Sequence, residues 1–173
     1  MHKYLKIFAF IFIILITNNL KSEEIKIVYV DVQSILEKSN VGKKAFDNLN
    51  DLIKKKKSNF VEIENQLKSE ENEILKQKNI LSENELNAKI SDFQNKINDY
   101  NLKKQQFTKE VNDQRLNITN NLLKSLNLIL SDYVSKNGIS IILQKKNIII
   151  GKSTLDVTKD VLKIFNENIK TIN

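Results

Sequence analysis

The chain has 173 residues, with 28 basic and 21 acidic residues and a formal net charge of +7. It contains no proline, cysteine or tryptophan, only three glycines, and a single histidine, His2. Without histidine or cysteine in the body of the chain, the usual nucleophile–base pairs and soft metal sites are excluded, and three scattered glycines leave no phosphate-cradling loop.

Residues 1–22 read as a secretory signal peptide. Lys3 and Lys6 form a charged start, Ile7 to Ile16 is an unbroken apolar run, and a polar stretch ends at Ser22. Ten apolar residues are too few for a membrane span, which takes about 20. Removing the leader takes away Lys3, Lys6 and Lys21, so the mature part is only mildly basic. An uncleaved anchor is the alternative reading; export bounds function strongly, since a bacterial periplasmic protein would have no ATP to draw on.

Ile25 to Asp31 is β-branched and reads as a strand. Val32 to Leu36 reads as a short turn of helix, and Gly42 marks the entry to a long one.

From Phe46 onward apolar residues fall seven apart: Phe46, Ile53, Phe60, Leu67, Ile74, Leu81. After residue 85 the steps are mainly four and three: Leu86, Ile90, Phe93, Ile97, Tyr100, then Phe107, Val111, Ile118, Leu122, Leu126, Ile129, Tyr133. Ser82-Glu83-Asn84-Glu85 lies between, with the spacing of a capping box. Two long amphipathic helices joined by a tight reversal make an antiparallel hairpin. Paired seam residues then have numbers that add to a constant total, to within one: Phe46 with Ile118, Ile53 with Val111, Ile63 with Tyr100, Leu67 with Ile97, Ile74 with Ile90. Lys56 falls opposite Phe107, Lys104 opposite Phe60 and Glu70 opposite Phe93, giving weak layers in which long stems cover rings.

The return helix outruns the first. Its last stretch, Leu122 to Val134, is leucine-rich on more than one side and therefore enters a core. Gly138 is placed as its C-cap. Ile139–Leu143 and Asn147–Ile150 read as two strands of a hairpin, and Asp156 as the cap of a final helix that packs through Val157, Val161, Leu162, Ile164 and Phe165.

The fold class expected is thus α+β but mostly α: a long coiled-coil hairpin arm, residues 43–120 with its tip near 79–83, on a small β body. Residues 23–42 and 121–173 form that β-rich body. Three strands are marginal alone, so other copies of the chain are expected to complete the sheet.

No catalytic residue, metal site or cofactor is expected, and the protein is not read as an enzyme. The sharpest charge feature is Lys54-Lys55-Lys56-Lys57, level in the hairpin register with Lys103, Lys104 and Lys109. As a belt these would attract an acidic client or anionic lipid such as lipopolysaccharide; as a solvated face they would keep the coil soluble. The tip is not basic, since residues 68–90 carry four lysines and five acids. Val61, Leu75, Ile80, Leu102 and Leu116 lie off the seam and would give weak, redundant apolar contacts.

The strand Lys26-Ile27-Val28-Tyr29-Val30-Asp31-Val32-Gln33, the helix entry Ser39-Asn40-Val41-Gly42-Lys43 and the closing Leu155-Asp156-Val157-Thr158 together resemble the Skp (OmpH-like) family of periplasmic chaperones. The resemblance covers the whole mature chain. It implies a homotrimer with a shared β body and three projecting hairpins. These would hold unfolded outer-membrane β-barrel proteins in a cavity, without ATP, and prevent their aggregation. A structural coiled coil of the envelope is the alternative. A nucleic-acid binder is disfavoured by the leader and by Arg115 being the only arginine.

Overall fold

In the computed structural model residues 24–172 are described; the leader expected at 1–22 lies outside them. The β-branched run forms strand β1, Ile27–Val30, with Val28, Tyr29 and Val30 buried. Asp31 ends it and starts helix α1, Val32–Lys38, its side chain accepting from the Ser34 amide at 2.9 Å.

One residue turns the chain from α1 into α2, Asn40–Gln77. Ser39, fully buried, donates its amide to Ile35 O at the end of α1. Its hydroxyl accepts from the Gly42 amide at 3.2 Å and so caps α2. Gly42 lies inside the first turn of α2 rather than before it. A Cβ there would lie 1.9 Å from Leu36 O, so the corner needs glycine for close approach.

Helix α2 has 38 residues and is about 57 Å long. The capping box forms as expected: Ser82 Oγ accepts from the Glu85 amide, and Glu85 Oε2 accepts from the Ser82 amide at 3.0 Å. Helix α3, Glu83–Asn137, has 55 residues in one uninterrupted run of about 82 Å. Gly138 closes it with φ 57°, and its amide returns to Val134 O.

Strand β2, Ile141–Gln144, does not pair with the run that follows it. It lies parallel to β1, with Val28 opposite Ile142 and Val30 opposite Gln144. The expected hairpin partner, Asn147–Ile150, is not a strand: Lys145–Asn147 is a 3₁₀ turn, and Ile149 and Ile150 are 98% and 92% exposed. Among the described residues the body therefore has two strands rather than three.

A second 3₁₀ turn, Ser153–Leu155, leads to helix α4, Thr158–Asn168. Asp156 bridges to Tyr29 on the other side of β1. Its carboxylate holds Thr158 and Lys145 instead of capping α4 in the ordinary way.

The core lies where both ends of the described chain meet the root of α3. Ile35, Leu122, Leu126, Val161 and Phe165 are fully buried there, with Val28, Val30 and Val157 beside them. Ile129, Leu130, Tyr133 and Val134 pack against this cluster, as the leucine-rich end of the return helix leads one to expect; Leu128 faces away, exposed. Ile169 and Ile172 of the tail also join it.

Candidate functional site

The seam of the arm fixes which residues remain outside. Ile53, Phe60, Leu67 and Ile74 are half-buried between α2 and α3. The Phe60 ring lies edge-on to Tyr100, centroids 5.8 Å apart, and 5.7 Å from Phe107. Lys96 reaches Glu70 at 2.7 Å and Lys104 reaches Glu64 at 3.1 Å. These crossings step up one helix as they step down the other, in the antiparallel register expected.

Lys104 lies beside Phe60 and stands 5.3 Å over the Tyr100 ring. Its ammonium is held by Glu64, which the sequence reading did not single out, and by Tyr100, which it placed only on the seam. Glu64 Oε1 accepts from both the Tyr100 hydroxyl and Lys104, and Lys104 also donates to the Tyr100 oxygen at 3.1 Å. The Tyr100 hydroxyl, and then the Lys104 ammonium, hold the Glu64 carboxyl below its ordinary value. Tyr100 and Glu64 push Lys104 up in return. The signal was present in the numbering, since Glu64 faces Tyr100 in the same register that pairs the seam.

The expected lysine belt is distributed unevenly. Lys103 is paired with Asp99 at 2.6 Å, Lys104 with Glu64, and Lys109 with Asp113 at 3.4 Å. Lys54, Lys55, Lys56 and Lys57 are all exposed, and among the described residues none has an ion-pair partner. The uncompensated charge therefore lies on the run. Four consecutive helical residues also fan around the axis, so the run faces more than one way.

Lys57, Val61 and Lys104 line an open groove of about 490 Å³ on one flank, with Phe60, Phe107 and Val111 at its floor. Nearer the tip, Leu75 and Lys78 line a second groove of about 210 Å³ over Ile74, Leu86 and Phe93. The spacing Lys57, Val61, Glu64, Glu71, Leu75, Lys78 puts both on one flank. Lys56 and Lys103 line the opposite flank with Asn59, Gln106 and Glu110, and beyond them lie Gln66, Ser69, Glu70 and Glu73. Lys109 and Leu102 share neither flank. Each lies two residues before a seam position, Val111 or Lys104, on the outer side of α3, as does Leu116. Ile80 is exposed at the turn.

The body presents a second exposed apolar set. Ile27 on β1 and Ile141 and Leu143 on β2 turn away from the core, and Ile149, Ile150 and Leu155 lie exposed in the loops that follow. Among the described residues no three His, Cys, Asp or Glu are grouped to hold a metal ion, and no helix is long and apolar enough to cross a membrane. What the arm offers chemically is a long, open surface of alternating charge and apolar groups.

A family model for outer membrane proteins of the OmpH-like type matches residues 26–165. Among solved structures, the chain is similar to a candidate outer membrane chaperone (OmpH-like) from Caulobacter crescentus. The TM-score is 0.78 at 19% identity, over 87% of this chain and 89% of that one. No curated protein matches the chain.

Proposed function

The chain belongs to the OmpH-like family, and on that premise we propose that it is an ATP-independent periplasmic holdase. It binds unfolded outer-membrane β-barrel proteins between the arms of a homotrimer and keeps them from aggregating. The observation that carries this reading is the arm itself. A helix pair tens of ångströms long leaves Val61, Leu75 and Ile80 exposed together with the unpaired run Lys54–Lys57. Exposed apolar groups spread along an open surface give many weak contacts, and a protein that releases its client without a motor needs weak contacts that add.

The trimer is supported by the body. A sheet of two four-residue strands is marginal in isolation, and its outward face carries Ile27, Ile141 and Leu143. Further copies of the chain would cover that face. Weak contact of the lysines with anionic lipid or lipopolysaccharide follows from the same unpaired charge and would fade with salt.

The test is light scattering of a urea-unfolded outer-membrane β-barrel protein diluted into buffer without nucleotide, with and without the mature protein. Suppressed scattering that weakens with salt is expected, together with a native mass three times that of the chain. Unchanged scattering would remove the holdase reading, and a monomeric mass would remove the trimer.

A further inference from the structure

If the arm holds an unfolded client, one row on it has the layout of a track. Lys54, Val61, Lys68 and Leu75 follow one another at intervals of seven, each one residue beyond a seam position: Ile53, Phe60, Leu67, Ile74. Heptad spacing lines them up along one flank of α2, with rungs about 10 Å apart. All four are exposed, and among the described residues neither Lys54 nor Lys68 has an ion-pair partner. Val61 and Leu75 each border one of the two apolar-floored grooves.

We propose that this flank docks an extended stretch of client chain whose apolar side chains lie about six residues apart, with acidic residues between them. Val61 and Leu75 are about 21 Å apart along the helix. An extended chain advances about 3.4 Å per residue, so six residues cover that span. Side chains alternate, so residues six apart point the same way and enter both grooves together. Lys68 lies midway between the grooves, where its long stem reaches a carboxylate two or four residues along the client, on the same side as the two apolar groups, and Lys54 reaches another such carboxylate beyond Val61. Charge complementarity selects the occupant, since Lys54 and Lys68 are exposed and carry no ion pair beside two grooves floored by apolar rings.

The other surfaces lack this combination. The opposite flank near the tip is lined by Gln66, Ser69, Glu70, Glu73, Lys89 and Asp92, with no large exposed apolar residue in the place that Val61 and Leu75 take on the track. Leu102 and Leu116, on the outer side of α3, line neither groove. They are nevertheless as exposed as the track residues: 52% and 59%, against 54% and 62% for Val61 and Leu75. That match supplies the control.

The experiment compares the native protein, V61S/L75S and L102S/L116S for binding of the same urea-unfolded β-barrel protein, with helicity followed by circular dichroism. All four positions are exposed, so both variants keep the fold. Losing the two groove contacts weakens binding roughly tenfold, while the outer-side pair leaves it within about twofold. K54E/K68E lowers the salt dependence, the remainder staying with Lys55, Lys56 and Lys57. Equal weakening by the two serine pairs, or no weakening by either while the native protein still holds client, would overturn the track. A salt dependence untouched in K54E/K68E would overturn its charged rungs. Failure of the native protein to hold client at all is a different result, and it strikes the holdase reading itself.

Discussion

The body and the arm are built from the same few residue types and packed in opposite ways. In the body Ile35, Leu122, Leu126, Val161 and Phe165 lose all contact with water. Along the arm only Leu49 and Tyr100 are buried, and Phe60, Phe107, Ile74 and Ile90 stay partly wet. The body resists change because each side chain is enclosed by several others. The arm is held by a single seam, with ion pairs such as Lys96–Glu70 bracing its edges. Exposed pairs of that kind contribute little to stability, because water and salt screen them. One molecule thus joins a firm base to a compliant limb, and the contrast can be tested at both ends.

The largest effect is expected in the body. Phe165→Ala empties a fully buried site and should cost about 3–5 kcal/mol, lowering the thermal midpoint of the whole chain. A loss confined to the arm would break the comparison. At the junction, Gly42→Ala would force a methyl against Leu36 O and Ser39 Oγ, 1.9 and 2.7 Å away. Strain of that kind costs about 1–3 kcal/mol, and denaturant unfolding would show it as a shifted midpoint. An unchanged midpoint would mean that the corner is not a tight joint.

At the tip, Ser82→Ala removes the acceptor for the Glu85 amide and should cost about 1 kcal/mol. Hydrogen exchange should rise near residues 78–90 and stay constant in β1 and α4; a rise in the body would contradict independent behaviour. The smallest effect is acid loosening of the middle of the arm. The Tyr100 hydroxyl, then Lys104, holds Glu64 below its ordinary value of 4.5. A lowered folded pKa stabilises at neutral pH, and that contribution is lost as pH falls through the folded value. Below pH 4.5 exchange around Tyr100 should therefore increase, and Glu64→Gln should remove that dependence. In the body, burial works to raise Asp156, but hydrogen bonds from Lys145 and Thr158 outweigh it, and the net shift is downward. The sign is the same there, so Asp156→Asn tests whether the two acid responses are separable.

How much was legible in the sequence follows the same division. The arm repeats, so the seven-residue spacing from Phe46 to Leu81 and the Ser82–Glu85 box specify its helices, register and turn locally. The body does not repeat. Asn147–Ile150 has strand composition, yet β2 takes its partner from β1, more than a hundred residues away. Sheet pairing is set by tertiary neighbours more than by local propensity. Asp156 has the look of a helix cap but is engaged by Lys145 and Thr158. Gly42 was noticed as a boundary, but its reason, the approach of Leu36 O, is visible only in three dimensions. In the candidate site, the lysine run was plain from composition. Its division between flanks, and the neutralisation of Lys103, Lys104 and Lys109 by Asp99, Glu64 and Asp113, depend on helical phase and packing.

The unbroken course of α3 from Ser82 to Gly138 has a mechanical consequence. With no interruption at the root, and with Ser39 alone joining α1 to α2, the limb is a cantilever clamped at its base rather than a flap on a hinge. A load at the free end of such a beam produces the greatest bending moment at the clamp, where Leu122 and Leu126 are gripped, while the displacement accumulates toward the tip. Objects of different girth would then be accommodated by distributed curvature, and the stored elastic energy would push back on whatever had spread the limb.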